Sequence, residues 1–131
     1  MWLPARYEQE LKAFFGADIL DPARPLFDLV LMGVGSDGHT ASLFPDHPAL
    51  RETERWVIGV PQADVEPFVP RVTLTLPALA CCGEMLFEVA GARKRPILTR
   101  LLAGEKLPAN RALPWQHRLA DRLWRAAGEF S

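Results

Sequence analysis

An apolar run that ends in closely spaced glycines constrains the fold of this chain more than any other feature. Residues 26–32 (LFDLVLM) are typical of a buried strand, and Gly33, Gly35 and Gly38 follow directly. Glycines allow the backbone to turn sharply and to approach a ligand closely. In open α/β sheets, ligands bind beyond the carboxyl ends of the strands. The segment therefore predicts an α/β fold with a site just after this strand.

Two side chains that can handle protons lie in the same turn. Asp37 and His39 are two residues apart. An imidazole titrates near neutral pH and can accept a proton from water, so His39 is the candidate general base, with a structural histidine as the alternative. Asp37 either orients His39 and stabilises its charged form or bonds to backbone amides in an Asx turn, and both roles can coexist.

The remaining sequence alternates between helical and extended patterns. It predicts helices over residues 4–15, 40–44, 93–103 and 115–127, and strands over 27–32, 56–60, 71–74 and 85–90. Three prolines and two acidic residues indicate an exposed loop over 61–70. Strands that alternate with helices predict a mostly parallel sheet covered by helices on both faces.

Length and charge limit the classes of protein to consider. The 131 residues fit a single α/β domain over 1–131. A net charge of −1 without a long basic run argues against a nucleic-acid partner. The apolar stretches are shorter than a membrane span, so no membrane partner is expected. The N-terminus lacks an apolar signal core, and we therefore expect a cytoplasmic protein.

The cysteines and histidines do not follow the spacings of known metal sites. Cys81 and Cys82 are adjacent, a spacing that disfavours a disulfide, so we expect buried thiols. Asp46 and His47 follow the glycine turn closely, but the sequence has no His-x-x-x-His pair and no cysteine pair at zinc spacing. We therefore expect no metal.

The three glycines also have the G-x-G-x-x-G spacing of a dinucleotide site. However, no helical apolar pattern follows them at once, and Ile58 occupies the position where an acidic residue would bind the ribose. We therefore expect no nicotinamide and no other cofactor.

The turn and three later segments resemble the 6-phosphogluconolactonase family. The stretch 33–45 (GVGSDGHTASLFP) is similar to the family signature, and 7–16 (YEQELKAFFG) to the helix that precedes it. Further along, 71–77 (RVTLTLP), 91–94 (GARK) and 107–109 (LPA) match in the family's order. The resemblance implies a three-layer, Rossmann-like α/β fold, of which this chain is the C-terminal portion without the N-terminal strands.

The resemblance implies hydrolysis of 6-phospho-D-glucono-1,5-lactone to 6-phosphogluconate, with a small sugar-phosphate lactone as partner. His39 would activate water, and Asp37 would assist it. Arg71 and Lys94 would bind the substrate and its phosphate, together with the backbone of Gly33, Gly35 and Gly38. By composition alone, Arg71 is a solvated charge and Lys94 is part of a basic helix end. Amides of the glycine turn are candidates to stabilise an oxyanion.

Two alternatives remain beside this interpretation. Glucosamine-6-phosphate deaminases share the glycine frame but have a glutamate five positions after the histidine, where this chain has Phe44. The family's N-terminal phosphate loop and Asp-Glu-Arg motif are missing here, which leaves a truncated, non-catalytic fragment as the other alternative. Such a half-domain would self-associate or pair with a complementing N-terminal half. We assign no function to the divergent segment after residue 114.

Overall fold

Two pairs of strands organise the computed structural model, which describes residues 2–115. Strand β1 (Phe27–Met32) pairs with β4 (Cys82–Phe87) in parallel, and β2 (Val57–Val60) pairs with β3 (Arg71–Leu74) in antiparallel fashion. The helices of the described residues are α1 (Trp2–Phe15), α2 (Leu76–Ala80), α3 (Arg95–Leu102) and α4 (Pro108–Arg111), with 3₁₀ turns at Pro48–Arg51 and Ala92–Lys94. The α/β class is thus confirmed.

The parallel pair determines where the loops meet. Its register runs from Phe27 opposite Cys82 to Met32 opposite Phe87, and the Glu88 amide donates to the Met32 carbonyl at 2.9 Å. Both strands therefore end at the same edge of the sheet. The glycine turn that follows β1 and the segment that follows β4 leave from this edge side by side.

One face of this parallel pair carries the largest apolar cluster. Met32 packs there with Leu43 from the loop after β1 and Leu79 from α2, and this packing holds the loop against the strands. The opposite face carries Leu29, Leu31 and Leu86, which are 51%, 60% and 53% exposed. The described residues therefore cover one face of the pair, whereas the sequence pattern predicted helices on both.

A second cluster packs the late helices against the glycine turn. Val34 contacts an apolar group that comes from α3, α4 and the residue before α4: Ile97, Leu101, Leu107 and Ala109. Gly38 lies under Leu107 with φ +88°, and a Cβ at this position would lie 2.9 Å from the Leu107 side chain. Only glycine fits this crowded, left-handed position. The Ala109 amide also donates to the Gly38 carbonyl at 3.1 Å.

Most of the expected elements are confirmed, and strand pairing changes the bounds of some of them. The strands over 27–32 and 71–74 and the loop over 61–70 are present as expected, and the first helix ends before Gly16 as expected but begins two residues earlier, at Trp2. Strand β4 begins at Cys82, three residues before the predicted strand, because its pairing with β1 extends through Gly83. Except for Trp115, the predicted helix over 115–127 lies outside the described residues.

The expected short helix over 40–44 is wrong. Ala41 has φ +50°, which is incompatible with a right-handed helix, and Thr40 instead donates its hydroxyl proton to the Gly33 carbonyl at 2.7 Å. This bond spans seven residues and holds Thr40 against the start of the glycine turn instead of in a helix. Helix α2 was not expected. Thr75 caps it by accepting the Ala78 amide at 3.4 Å, and Pro77 lies in its first turn.

Both cysteines are free thiols and buried, as expected. Burial and the neighbouring Cys81 raise the pKa of Cys82 to about 11, so this thiol stays protonated at neutral pH. Among residues 2–115, no helix combines the length and the apolar character that crossing a bilayer requires.

A buried carboxylate connects α1 to β2. Glu8 is 7% exposed and accepts the amide protons of Trp56 at 2.5 Å and Val57 at 3.1 Å, while Lys12 donates to it at 3.0 Å. Burial by itself would raise the pKa of Glu8. The hydrogen bonds from Val57, Lys12 and Trp56 outweigh burial and hold this pKa below its ordinary value of 4.5.

We expect Glu8→Gln to lower the free energy of unfolding by about 1–3 kcal/mol at pH 7, because charge-assisted hydrogen bonds become neutral ones. A lowered folded-state pKa stabilises the fold above pH 4.5, and this contribution disappears as the pH falls through the folded-state value. The difference in free energy of unfolding between wild type and variant should therefore become smaller in acid. Urea denaturation at several pH values measures it.

The matched control is Glu10→Gln on the same helix. Glu10 is exposed and pairs with Arg6 at 3.5 Å on the surface. Exposed pairs contribute little, so this variant should change stability by less than about 0.5 kcal/mol. Equal losses in both variants would contradict the role assigned to Glu8.

Candidate active site

Backbone hydrogen bonds close the glycine turn on itself. The Gly35 amide donates to the His39 carbonyl at 2.9 Å, and the Gly38 amide donates to the Gly35 carbonyl at 2.9 Å. The buried Thr40 hydroxyl bonds to the Gly33 carbonyl at the start of the turn. These bonds hold His39 above the end of β1. They also pair the Gly35 amide inside the turn, so it is not free to stabilise an oxyanion as the sequence analysis expected.

The Asp37 carboxylate contacts both the backbone amide and the imidazole ring of His39. Asp37 Oδ1 lies 2.5 Å from His39 Nδ1 and accepts the His39 amide proton at 3.0 Å. The sequence left open whether Asp37 orients the His39 ring or bonds to a backbone amide in an Asx turn. In the structure the carboxylate does both. Burial would raise the pKa of Asp37, but the bonds from the His39 amide and ring outweigh burial and lower it below 3.8.

The ionised carboxylate determines which imidazole nitrogen is basic. An ionised Asp37 can only accept hydrogen bonds. We therefore assign the proton of neutral His39 to Nδ1, facing Asp37 Oδ1 at 2.5 Å. Nε2 then carries the free lone pair, and it is the atom that can take a proton from water.

Gly35 makes room for the imidazole. A Cβ at this position would overlap Cε1 and Nδ1 of His39 and would lie 2.8 Å from Asp37 Oδ1. Gly33 differs, because a Cβ there would meet no atom within 4 Å. The sequence presented the two glycines as equivalent, whereas the structure requires a missing side chain only at Gly35.

A cavity of about 400 Å³ opens beside His39. The residues that line it come from the glycine turn, the loop after it and the segment after β4: Gly33, Val34, Gly35, His39, Ala41 and Lys94. Lys94 donates to the Val34 carbonyl at 2.6 Å, which places its ammonium group at the cavity wall. An imidazole and an ammonium group therefore line one cavity of the size of a small-ligand site.

Arg71 and Gly38 do not line this cavity. Gly38 is buried beneath Leu107. Arg71 donates to the carbonyls of Val65 at 3.4 Å and Pro67 at 3.1 Å in the loop before β3. Its Cζ lies 5.7 Å from the centre of the Phe44 ring, and that ring lies 4.9 Å from the His39 ring. Arg71 therefore lies outside the cavity lining and contacts the same Phe44 ring that packs against His39.

Sequence reasoning missed Val34 and Ala41, and it noted Phe44 only as a missing glutamate. No sequence signal identifies Val34 and Ala41, because the folded path of the backbone through the turn places them at the cavity wall. Within residues 2–115, the His, Cys, Asp and Glu side chains form no group of three that could hold a metal ion.

The fold and the site together define a class of protein. A histidine–carboxylate pair and a lysine surround one cavity at the carboxyl ends of parallel strands. This is an α/β protein whose site combines a proton acceptor with a cation, an arrangement suited to small anionic ligands.

Comparison with known proteins then gives the family. Residues 3–124 match the family model of glucosamine-6-phosphate isomerases/6-phosphogluconolactonase. The chain is 40% identical over 127 residues to 6-phosphogluconolactonase from Homo sapiens, covering 95% of this chain and 47% of that protein. It is 45% identical over 100 residues to the Streptomyces coelicolor 6-phosphogluconolactonase, covering 76% and 38%.

Solved structures agree with this relationship. The Thermotoga maritima 6-phosphogluconolactonase superposes with a TM-score of 0.69 at 32% identity, covering 86% of this chain and 46% of that chain. The Trypanosoma brucei 6-phosphogluconolactonase superposes with a TM-score of 0.66 at 32% identity, covering 84% of this chain and 45% of that chain. The chain belongs to the glucosamine-6-phosphate isomerase/6-phosphogluconolactonase family. It spans about half the length of these relatives.

We expect Gly35→Ala to displace the His39 ring and break its bond to Asp37, because the new Cβ would occupy the place of the ring. Long-range ¹H–¹⁵N NMR spectra of the imidazole distinguish its tautomers. They should show mainly Nδ1–H in the wild type and a mixture in the variant.

Gly33→Ala is the matched control and should leave the tautomer unchanged, since the space around its Cβ is open. An unchanged His39 spectrum in Gly35→Ala would contradict the crowding argument.

Proposed function

We propose that this chain carries the proton-transfer machinery of a cytoplasmic 6-phosphogluconolactonase, which hydrolyses 6-phospho-D-glucono-1,5-lactone to 6-phosphogluconate in the pentose phosphate pathway. The observation that carries the proposal is the 2.5 Å contact between His39 Nδ1 and Asp37 Oδ1 beside a cavity that also holds Lys94. Relatives that bear this name cover most of the chain, which supports the choice of substrate.

In the proposed reaction, water adds across the lactone bond. Nε2 of His39 takes a proton from water while the oxygen attacks the lactone carbonyl carbon. Asp37 stabilises the imidazolium that forms, as a carboxylate at Nδ1 does in hydrolytic triads. The tetrahedral intermediate then collapses, the bond from the carbonyl carbon to the ring oxygen breaks, and the imidazolium returns its proton to that oxygen. The product is an open-chain acid.

Lys94 supplies positive charge within this cavity. Its ammonium group donates to the Val34 carbonyl at 2.6 Å and keeps two further protons for a ligand. We propose that Lys94 binds the anionic substrate and that Arg71 adds charge from beyond Phe44. Such groups act by positioning, since they hold the carbonyl carbon within reach of the activated water.

The deaminase alternative is weaker at the same site. In deaminases, a glutamate five positions after the histidine pairs with it, and the position here is occupied by the fully buried Phe44. An apolar ring 4.9 Å away cannot accept a hydrogen bond from the imidazole as a carboxylate does. We therefore favour the lactonase.

One observation favours a second candidate, a half-domain that needs a partner. Leu29, Leu31 and Leu86 expose an apolar face on the parallel pair, and parallel sheets are normally covered on both faces. A second copy or a complementing N-terminal half would cover it. In that case, hydrolysis per chain would rise with protein concentration or on addition of that half, and sedimentation analysis would show the complex.

We expect His39→Ala to reduce turnover of 6-phosphogluconolactone by about 10²–10⁴-fold, because general-base catalysis contributes that much. Acid release from freshly prepared lactone measures the rate, and the spontaneous opening of the lactone is subtracted. His47→Asn is the control, since His47 accepts the Ala49 amide at 3.1 Å as a cap, a role that asparagine can fill. A folded His39→Ala protein with wild-type turnover would exclude His39 as the base.

We expect Lys94→Met to raise KM by about tenfold while kcat changes less, because the charge that holds the anion is lost. Arg93→Met is the matched control, since Arg93 is an exposed cation in the same 3₁₀ turn and does not line the cavity. Equal increases in KM in both variants would indicate a general effect of the basic helix end and would argue against a specific role for Lys94.

A further inference from the structure

The Phe44 ring lies close to both the candidate base and the second candidate cation. Its side chain is fully buried and packs with Val60 and Ala63. Its ring centre lies 4.9 Å from that of His39 at an interplanar angle of 43°, and 5.7 Å from Arg71 Cζ. One buried ring therefore contacts both groups.

The ring restricts the imidazole of His39, whose side chain is 19% exposed. Asp37 holds Nδ1, Gly35 leaves room for one side of the ring, and Phe44 packs against the ring as well. The hydrogen bond alone would still allow the ring to tilt away from Asp37 Oδ1, which would weaken the contact that holds the proton on Nδ1. The packing of Phe44 limits this tilt, and with it the direction in which Nε2 points.

Phe44 also restricts Arg71. The guanidinium bonds to two carbonyls of the loop before β3 and lies against the aromatic ring, where cation–π attraction adds to the hold. A guanidinium can stack on a ring and still use its remaining N–H groups for an anion. A branched aliphatic side chain would fill part of the space but would offer the cation no π face.

We propose that Phe44 is a positioning and specificity-determining residue: it sets the separation between His39 and Arg71 and thereby selects lactones whose anionic group lies at that separation from the carbonyl. This inference rests on the proposed lactonase function and deepens it. The selected class is a sugar lactone with a phosphate remote from the ring carbonyl, and the disfavoured class is the same lactone without phosphate.

The test compares two phenylalanine substitutions. Phe44→Leu removes the ring at the site. Phe15→Leu makes the same change in another buried cluster, where Phe15 lies 6.0 Å from Trp56. For each protein, kcat/KM is measured on 6-phosphogluconolactone and on unphosphorylated glucono-1,5-lactone. We expect the preference for the phosphorylated lactone to fall about tenfold in Phe44→Leu and to stay unchanged in Phe15→Leu.

A second measurement needs no substrate. Long-range ¹H–¹⁵N NMR spectra should show a mixture of His39 tautomers in Phe44→Leu and mainly Nδ1–H in the wild type and Phe15→Leu. If the wild type hydrolyses neither lactone, the proposed function fails, and these spectra alone decide whether Phe44 positions His39. If Phe44→Leu does not fold, Phe44→Met replaces it, because methionine keeps more of the volume without the ring.

The inference is overturned if the folded Phe44 variant keeps both the wild-type lactone preference and the wild-type tautomer. It is also overturned if both rates fall by the same factor with an unchanged tautomer, because that result indicates a structural role only.

Discussion

The parallel pairing of β1 with β4 is the interaction on which the rest of the structure depends. Because the two strands run in the same direction and end in register, with Met32 opposite Phe87, the segments that follow them meet at one edge. The hydrogen bond from Lys94 to the Val34 carbonyl joins these segments across 60 residues of sequence. Without the pairing, His39 and Lys94 would not line the same cavity.

At this edge of the parallel pair, two glycines of the turn leave the space that neighbouring side chains occupy. Gly35 leaves space for the imidazole, and Gly38 allows Leu107 to pack against the turn. Asp37 then holds the ring through Nδ1. Burial disfavours the ionised carboxylate, but the hydrogen bonds from His39 offset this effect. Rigid backbone geometry and one charged contact together give His39 a defined basic nitrogen.

Local pattern was a good guide wherever neighbouring residues decide the structure. The apolar run over 26–32 identified β1, the glycines identified the turn, and the two-residue spacing of Asp37 and His39 indicated that they lie close together. It failed over 40–44, where the Thr40 hydroxyl bonds back to the Gly33 carbonyl and Ala41 adopts a positive φ. That bond spans seven residues, so it depends on how the turn closes rather than on helical propensity.

The sequence by itself determined the family motif, the strand before it and the closeness of Asp37 to His39, because these depend on short-range geometry. Only the tertiary structure decided that Lys94 lines the cavity and that Arg71 instead lies over the Phe44 ring. It also decided that β2 and β3 form an antiparallel pair. The physical reason is that strand register and side-chain packing depend on contacts between segments far apart in the chain.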